Sequence, residues 1–215
     1  VTLIPYIFGS NEIKSKPTQH SVKELQSFGI KPDILVCRTE YDIPDSIREK
    51  LALFCNVRKT AVIQNKTARC LYDVPLMLEK EGLAREICNI LKLDKYLPNN
   101  TEWENMINNI LNIDSNKKIK VAIVGKYVQL EDSYISVIES ITHAGYANGV
   151  NAEVKLIDSE TITDENVSTK LKDIDGVIVP GGFGNRGIEG KITTIKYVRE
   201  NNIPFLGICL GMQMA

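Results

Sequence analysis

The chain has 215 residues, enough for one large domain or two small ones, and its formal net charge of −1 gives no global indication of a strongly basic nucleic-acid surface or a polybasic membrane patch. Its apolar content is that of an ordinary soluble globular protein, and no apolar run reaches the length of a membrane span. The five cysteines (Cys37, Cys55, Cys70, Cys88 and Cys209) are widely spaced and odd in number, which fits neither a zinc site nor a secreted disulfide framework and points to a reducing, cytoplasmic setting.

In chain order, residues 1–8 read as a strand ending at Gly9-Ser10. The polar segment from Lys14 to His20 follows, and Ser21 reads as the cap of a helix over Val22–Phe28 that stops at Gly29. Lys14, Ser15, Lys16, Pro17, Thr18 and Gln19 bring two cations, hydroxyl and amide groups to a helix start. That combination is either an anion pocket, for phosphate above all, or a solvated basic loop. Residues 34–38 predict a buried strand, Asp45 the cap of a helix, and Ala61-Val62-Ile63 another strand. From Pro75 to Leu93 the spacing predicts a helix with Leu83, Ile87, Ile90 and Leu91 on its apolar face. Strands alternating with helices imply an α/β domain over residues 1–94. Residues 95–116 read as a linker with one amphipathic helix.

A second α/β series occupies residues 117–215. Ile119 to Gly125 is a strand, Glu131-Asp132-Ser133 starts a helix with Tyr134, Val137, Ile138 and Ile141 on one face, and Gly145 is its expected stop. Further strands are predicted at Val154–Asp158, Gly176–Pro180 and Ile203–Gly207, with helices over Asp164–Leu171 and Gly190–Asn201. This β-α-β-α-β-α-β order predicts a doubly wound parallel sheet, whose ligands bind beyond the carboxyl ends of the strands. Two glycine-rich segments fall at such ends. Gly181-Gly182-Phe183-Gly184 can present unobstructed N–H groups to an oxyanion. Gly207-Ile208-Cys209-Leu210-Gly211 has the pattern of a nucleophile elbow, where a helix start favours the thiolate. Taken alone, Cys209 is equally well a small hydrophobe packed in a sheet.

Together these segments closely resemble the CTP synthase family. Gly181 to Gly184 with Arg186-Gly187 and Glu189-Gly190-Lys191, and then Pro204 to Gln213, are similar to its class I glutamine amidotransferase domain. Val124 to Val128, Asp132-Ser133-Tyr134 and His143-Ala144-Gly145 support the same resemblance. Lys14 to Val22 and Leu53 to Val57 are similar to the end of its synthetase domain. The resemblance implies a ligase that aminates UTP to CTP with ATP and with ammonia released from glutamine. It implies Cys209 as nucleophile; Gly182, Leu210, Gly211, Met212 and Gln213 at glutamine or its oxyanion; Lys14 to Gln19 and Lys50 at UTP, or at CTP as feedback inhibitor; and Lys66, Thr67 and Ala68 near ATP. It further implies Mg2+ bound outside this stretch, GTP as allosteric activator, a cytoplasmic homotetramer, and no nucleic-acid or membrane partner.

The internal-looking start and the end in mid-motif lead us to expect a fragment, inactive alone, with the family's P-loop and magnesium carboxylates before Val1 and its glutaminase His and Glu after Ala215. His20 and His143 are not expected to fill the triad. Two other readings are a non-catalytic pyrimidine-nucleotide-binding or assembly module and a stand-alone glutaminase.

Overall fold

The computed structural model describes residues 1–10, 12–93 and 98–215. It divides into two compact units, Val1–Leu111 and Asn112–Ala215. The start of the predicted linker, residues 95–97, lies outside the described residues.

The first unit holds a parallel sheet of β1 (Thr2–Leu3), β4 (Leu35–Thr39) and β5 (Val62–Lys66), in the order β1-β4-β5. The opening strand is shorter than its apolar run predicts. Pro5 supplies no N–H for a ladder, and the chain turns into β2 (Tyr6–Ile7), which pairs antiparallel with β3 (Glu12–Ile13). Helix α1 spans Lys16–Ser27, with Pro17 in its first turn. It therefore starts well before the predicted cap at Ser21, because proline favours the first helical position, where its missing N–H is not needed. Helix α2 (Asp45–Cys55) follows β4. Ile4, Val22, Leu35, Cys37, Leu51, Cys55 and Val62 pack as the core of this unit.

The helix predicted over residues 75–93 is two helices, α3 (Val74–Lys80) and α4 (Leu83–Leu91), divided at Gly82, whose φ is +84°. The predicted apolar face is also corrected: Ile87 and Leu91 are exposed, whereas Glu86 is 4% exposed and accepts from Arg58 at 2.7 Å. A buried charge with a partner outranks a periodicity count here. Helix α5 (Thr101–Leu111) lies in the first unit and buries Ile107. Its Trp103 donates Nε1–H to the Tyr72 carbonyl at 2.8 Å.

A half-buried ion pair ties α2 to the end of α3. Arg48 donates to Glu81 at 2.8 Å and to the Val62 carbonyl at 2.8 Å, while Glu81 also accepts from the Gln64 N–H at 3.0 Å. Replacing Glu81 by Ala removes the acceptor for a guanidinium and an amide at once. We expect Glu81→Ala to lower stability by about 2 kcal/mol, read as a reduced midpoint of urea unfolding with unchanged slope.

The second unit is one parallel sheet of β6 (Lys118–Gly125), β7 (Asn151–Asp158), β8 (Gly176–Val179) and β9 (Phe205–Gly207), in the order β7-β6-β8-β9. Helices α6 (Ile135–Ala147), α7 (Val167–Lys170), α8 (Ile188–Glu200) and α9 (Leu210–Gln213) connect or follow the strands. Successive strand residues face opposite ways. Ile123 and Ile178 pack with Tyr134 and Ile141 on one face, and Ala122, Val124, Val177 and Val179 pack with Val167, Ile195 and Val198 on the other. Both faces are covered, as a doubly wound sheet requires. Helix α6 runs past the predicted stop: Gly145 is buried inside it, where a Cβ would lie 2.9 Å from the Val150 carbonyl oxygen, and Gly149 takes the positive φ instead.

Candidate active site at a strand–helix elbow

The chain leaves β6 toward β7 on one side and leaves β8 toward β9 on the other. The crevice of such a sheet opens where these directions part, beyond the carboxyl ends of β6 and β8. Lys126 follows β6, the Pro180–Gly184 turn follows β8, and Cys209 follows β9. These three ends form the candidate site.

Cys209 sits between β9 and α9 with φ 51° and ψ −110°. Asn56, Lys92, Asp173 and Asn202 also have positive φ, and for Asn56 and Lys92 ψ lies in the ordinary left-handed helical well. Cys209 does not lie in that well, and a side chain held in so sparse a region costs about 1–3 kcal/mol. The neighbours hold it there. The Ile208 N–H donates to the Val179 carbonyl at 2.9 Å, and the Met212 and Gln213 N–H groups both donate back to the Cys209 carbonyl at 3.1 Å. Gly211 lies so close to β8 that a Cβ there would sit 1.9 Å from the Val179 oxygen. The thiol itself is exposed. Cys37 and Cys55 contrast with it: both are buried, and burial pushes both thiols up.

The glycine turn lies against this elbow. A Cβ on Gly181 would be 3.3 Å from the Cys209 Cβ and 3.8 Å from its sulfur. Two lysines grip the turn from behind. Lys191, on α8, is 1% exposed and donates to the Pro180 carbonyl at 3.2 Å. Lys126, also buried, donates to the Phe183 carbonyl. Arg186 stacks over the Tyr127 ring at 5.8 Å, pairs with Glu160 at 2.7 Å and donates to the Lys126 carbonyl. In the sequence Lys126 and Lys191 stand out only as parts of longer motifs. The signal that would have singled out Lys191 is its place on the apolar stripe of α8 with Thr194, Ile195 and Val198, all of them buried.

Of the residues expected around Cys209, Leu210, Gly211, Met212 and Gln213 form the helix that follows it, with Met212 and Gln213 exposed, whereas Gly182 lies against Lys126 and Lys191 and it is Gly181 that lies beside Cys209. His143 lies along α6, 3.8 Å from Glu139. Among the described residues no cluster of His, Cys, Asp or Glu is fit to hold a metal.

In the first unit the Lys14–Gln19 segment spans the start of α1. Ser15 is buried and accepts from Gln19 Nε2 at 3.0 Å, and the fully buried Thr18 donates to the Leu3 carbonyl at 2.9 Å. Both hydroxyls thus have partners inside the fold. Lys14 pairs with Glu12, and Lys16 and Pro17 are exposed. Lys50 is an exposed residue of α2, the helix on which α1 packs. Lys66, Thr67 and Ala68 line a cavity of about 630 Å³, together with Arg69, Met77 and Lys80.

A strained cysteine on a strand–helix elbow, faced by a glycine turn at the mouth of a doubly wound sheet, has the layout of a nucleophile site, and residues 129–215 match the family described as glutamine amidotransferase class-I. Residues 1–93 match the family described as CTP synthase N-terminus. With both regions in this order, the chain is similar to CTP synthases along its whole length. Residues 1–94, expected to be the end of a synthetase domain, are instead matched over 1–93 by a family described as its N-terminus.

The CTP synthase of Clostridium beijerinckii is 55% identical over 215 residues, all of this chain and 40% of the relative. That of Bacillus cereus is 52% identical over 214 residues, again covering 40% of the relative. The chain thus spans about two-fifths of the length of the curated relatives it matches. A solved Trypanosoma brucei CTPS glutaminase domain with bound acivicin is 42% identical over 45% of this chain and 38% of that one, with a TM-score of 0.41. Among the described residues no helix is long and apolar enough to cross a membrane.

Proposed function

We propose that the protein carrying this chain makes CTP from UTP, and that the second unit supplies the glutaminase nucleophile. The observation that carries this reading is the strained backbone of Cys209 beside Gly181, which holds an exposed thiol against the glycine turn. The thiolate adds to the side-chain carbonyl of glutamine, and the negative charge of the tetrahedral intermediate lies on the former carbonyl oxygen. The proton lost by the thiol passes through the general base to the leaving nitrogen, so collapse expels ammonia and leaves an acyl–sulfur bond, which water cleaves to glutamate and free thiol. The amides of Gly182 and of Leu210, the residue after the nucleophile, are suited to that oxyanion, with Gly211 keeping the backbone close. Met212 and Gln213 are assigned to the substrate side of the elbow. The family resemblance puts the general base beyond Ala215.

In the first unit, Lys14, Lys16 and Lys50 are assigned to the phosphates of UTP or of inhibitory CTP. The N-terminal turn of α1 supports this, since its first amides have no partner within the helix. Ser15, Pro17, Thr18 and Gln19 shape that turn more than they can reach out from it. The cavity at Lys66, Thr67 and Ala68 is assigned to ATP, with Arg69 and Lys80 as cations missed in the sequence. Among the described residues no cluster of His, Cys, Asp or Glu fits Mg2+. A cytoplasmic homotetramer activated by GTP completes the proposal.

The test is trapping. When the complete protein is treated with a glutamine-analogue electrophile, digested and weighed, one adduct is expected on Cys209, and free glutamine should suppress it. An adduct spread over several cysteines, or one that glutamine does not suppress, would refute the assignment.

A further inference from the structure

Lys191 is among the largest fully buried side chains of the described residues, and among those residues neither it nor Lys126 pairs with a carboxylate. A methionine would fill nearly the same volume without removing a charge from water. Packing alone therefore gives no reason for an ammonium group here. Its hydrogen bond supplies one. The Pro180–Gly181 peptide is trans, so its carbonyl and its N–H point in opposite directions. An ammonium that fixes the Pro180 oxygen behind the turn also fixes the direction of the Gly181 N–H in front. Lys126 holds the Phe183 oxygen in the same way, so the two grips bracket Gly182. Both lysine ends lie against Gly182: a Cβ there would be 3.2 Å from Lys126 Cε, a close contact, and 3.7 Å from Lys191 Nζ, an ordinary one.

We propose that Lys191 is a positioning residue for the reaction at Cys209: its buried ammonium holds the Pro180 carbonyl and so fixes the Gly181–Gly182 amides where the oxyanion forms. The proposal rests on the reading of Cys209 as the glutaminase nucleophile. Burial, and after it the charge of Lys126, push the Lys191 ammonium below its ordinary value. A positive charge is thus held at the turn against its solvation, and a negative charge developing in front of the turn relieves that cost. The benefit falls on the transition state more than on bound glutamine.

The test compares Lys191→Met and Lys191→Arg with the unaltered complete protein in glutamine hydrolysis, with thermal unfolding measured alongside. Lys191→Met is expected to lower kcat about 10- to 100-fold, the penalty of a misplaced or lost oxyanion donor. KM for glutamine should stay within about twofold and the unfolding temperature should not fall, because the variant removes a desolvated charge. Lys191→Arg, which can still donate to the Pro180 oxygen, should recover part of kcat. A wild-type kcat in Lys191→Met overturns the proposal. So does a parallel loss of kcat, KM and stability in both variants, which would mark a packing role. If the unaltered protein hydrolyses glutamine no faster than Cys209→Ala, the reading of Cys209 itself fails, and the proposal falls with it by a separately visible route.

Discussion

Cys209→Ala is expected to reduce glutamine-dependent CTP formation by at least about 1,000-fold, while formation supported by added ammonium salt continues at close to its original rate. The nucleophile is removed outright, and no nearby side chain can replace it: the elbow offers one thiol, and the residues flanking it are Ile208 and Leu210. The substitution is small and the side chain exposed, so no core contact is lost. Alanine does inherit the strained φ and ψ, as cysteine does, so little stability should change hands. Measuring both nitrogen sources on the same preparation separates the outcomes. Loss of both activities would mean damage to the fold or to the synthetase reaction, and loss of neither would place the nucleophile elsewhere.

Gly211→Ala is expected to lower stability by about 3 kcal/mol or more and to slow trapping of Cys209 even in the molecules that remain folded. The added methyl would lie 1.9 Å from the Val179 oxygen, 2.8 Å from its carbonyl carbon and 3.1 Å from its Cβ. Two of these atoms belong to the backbone of β8, which cannot swing aside as a flexible side chain would. Relief requires α9 to lift off the sheet, and α9 carries the amides that hold the Cys209 carbonyl. Gly184→Ala is the comparison. Its added carbon meets nothing within 4 Å, and only the positive φ of 71° is strained, so a loss of about 1 kcal/mol is expected. Denaturant midpoints and electrophile-labelling rates measure both effects.

Much of the second unit is legible in the amino-acid order because its buried parallel strands are continuous apolar runs and its elbow is marked by glycines on both sides of the cysteine. Local signals misled where another interaction outweighed them. Ser21 has the chemistry of a cap, but Pro17 had already set the first turn of α1. Gly145 has the look of a stop, but the close approach of Val150 requires a glycine inside the helix. On α4 the apolar periodicity pointed away from Glu86, whose burial depends on Arg58, 28 positions earlier. The lysine grips were illegible for the same reason. Lys126 meets a carbonyl 57 positions away and Lys191 one 11 positions back, and neither span has a local signature. A lysine within an apolar stripe is the one trace such a contact leaves.

The exposure of Cys209 has a consequence for the protein under oxidant stress. Peroxide attacks accessible thiolates, converting them first to sulfenic acid, which thiols can reduce, and then to sulfinic acid, which they cannot. Cys37 and Cys55, enclosed and held as thiols, are shielded from this chemistry. Oxidative damage should therefore reach Cys209, the exposed one among the described cysteines, before the buried Cys37 and Cys55. On the function proposed above, nitrogen supply from glutamine would then fail first, while work on free ammonia would continue.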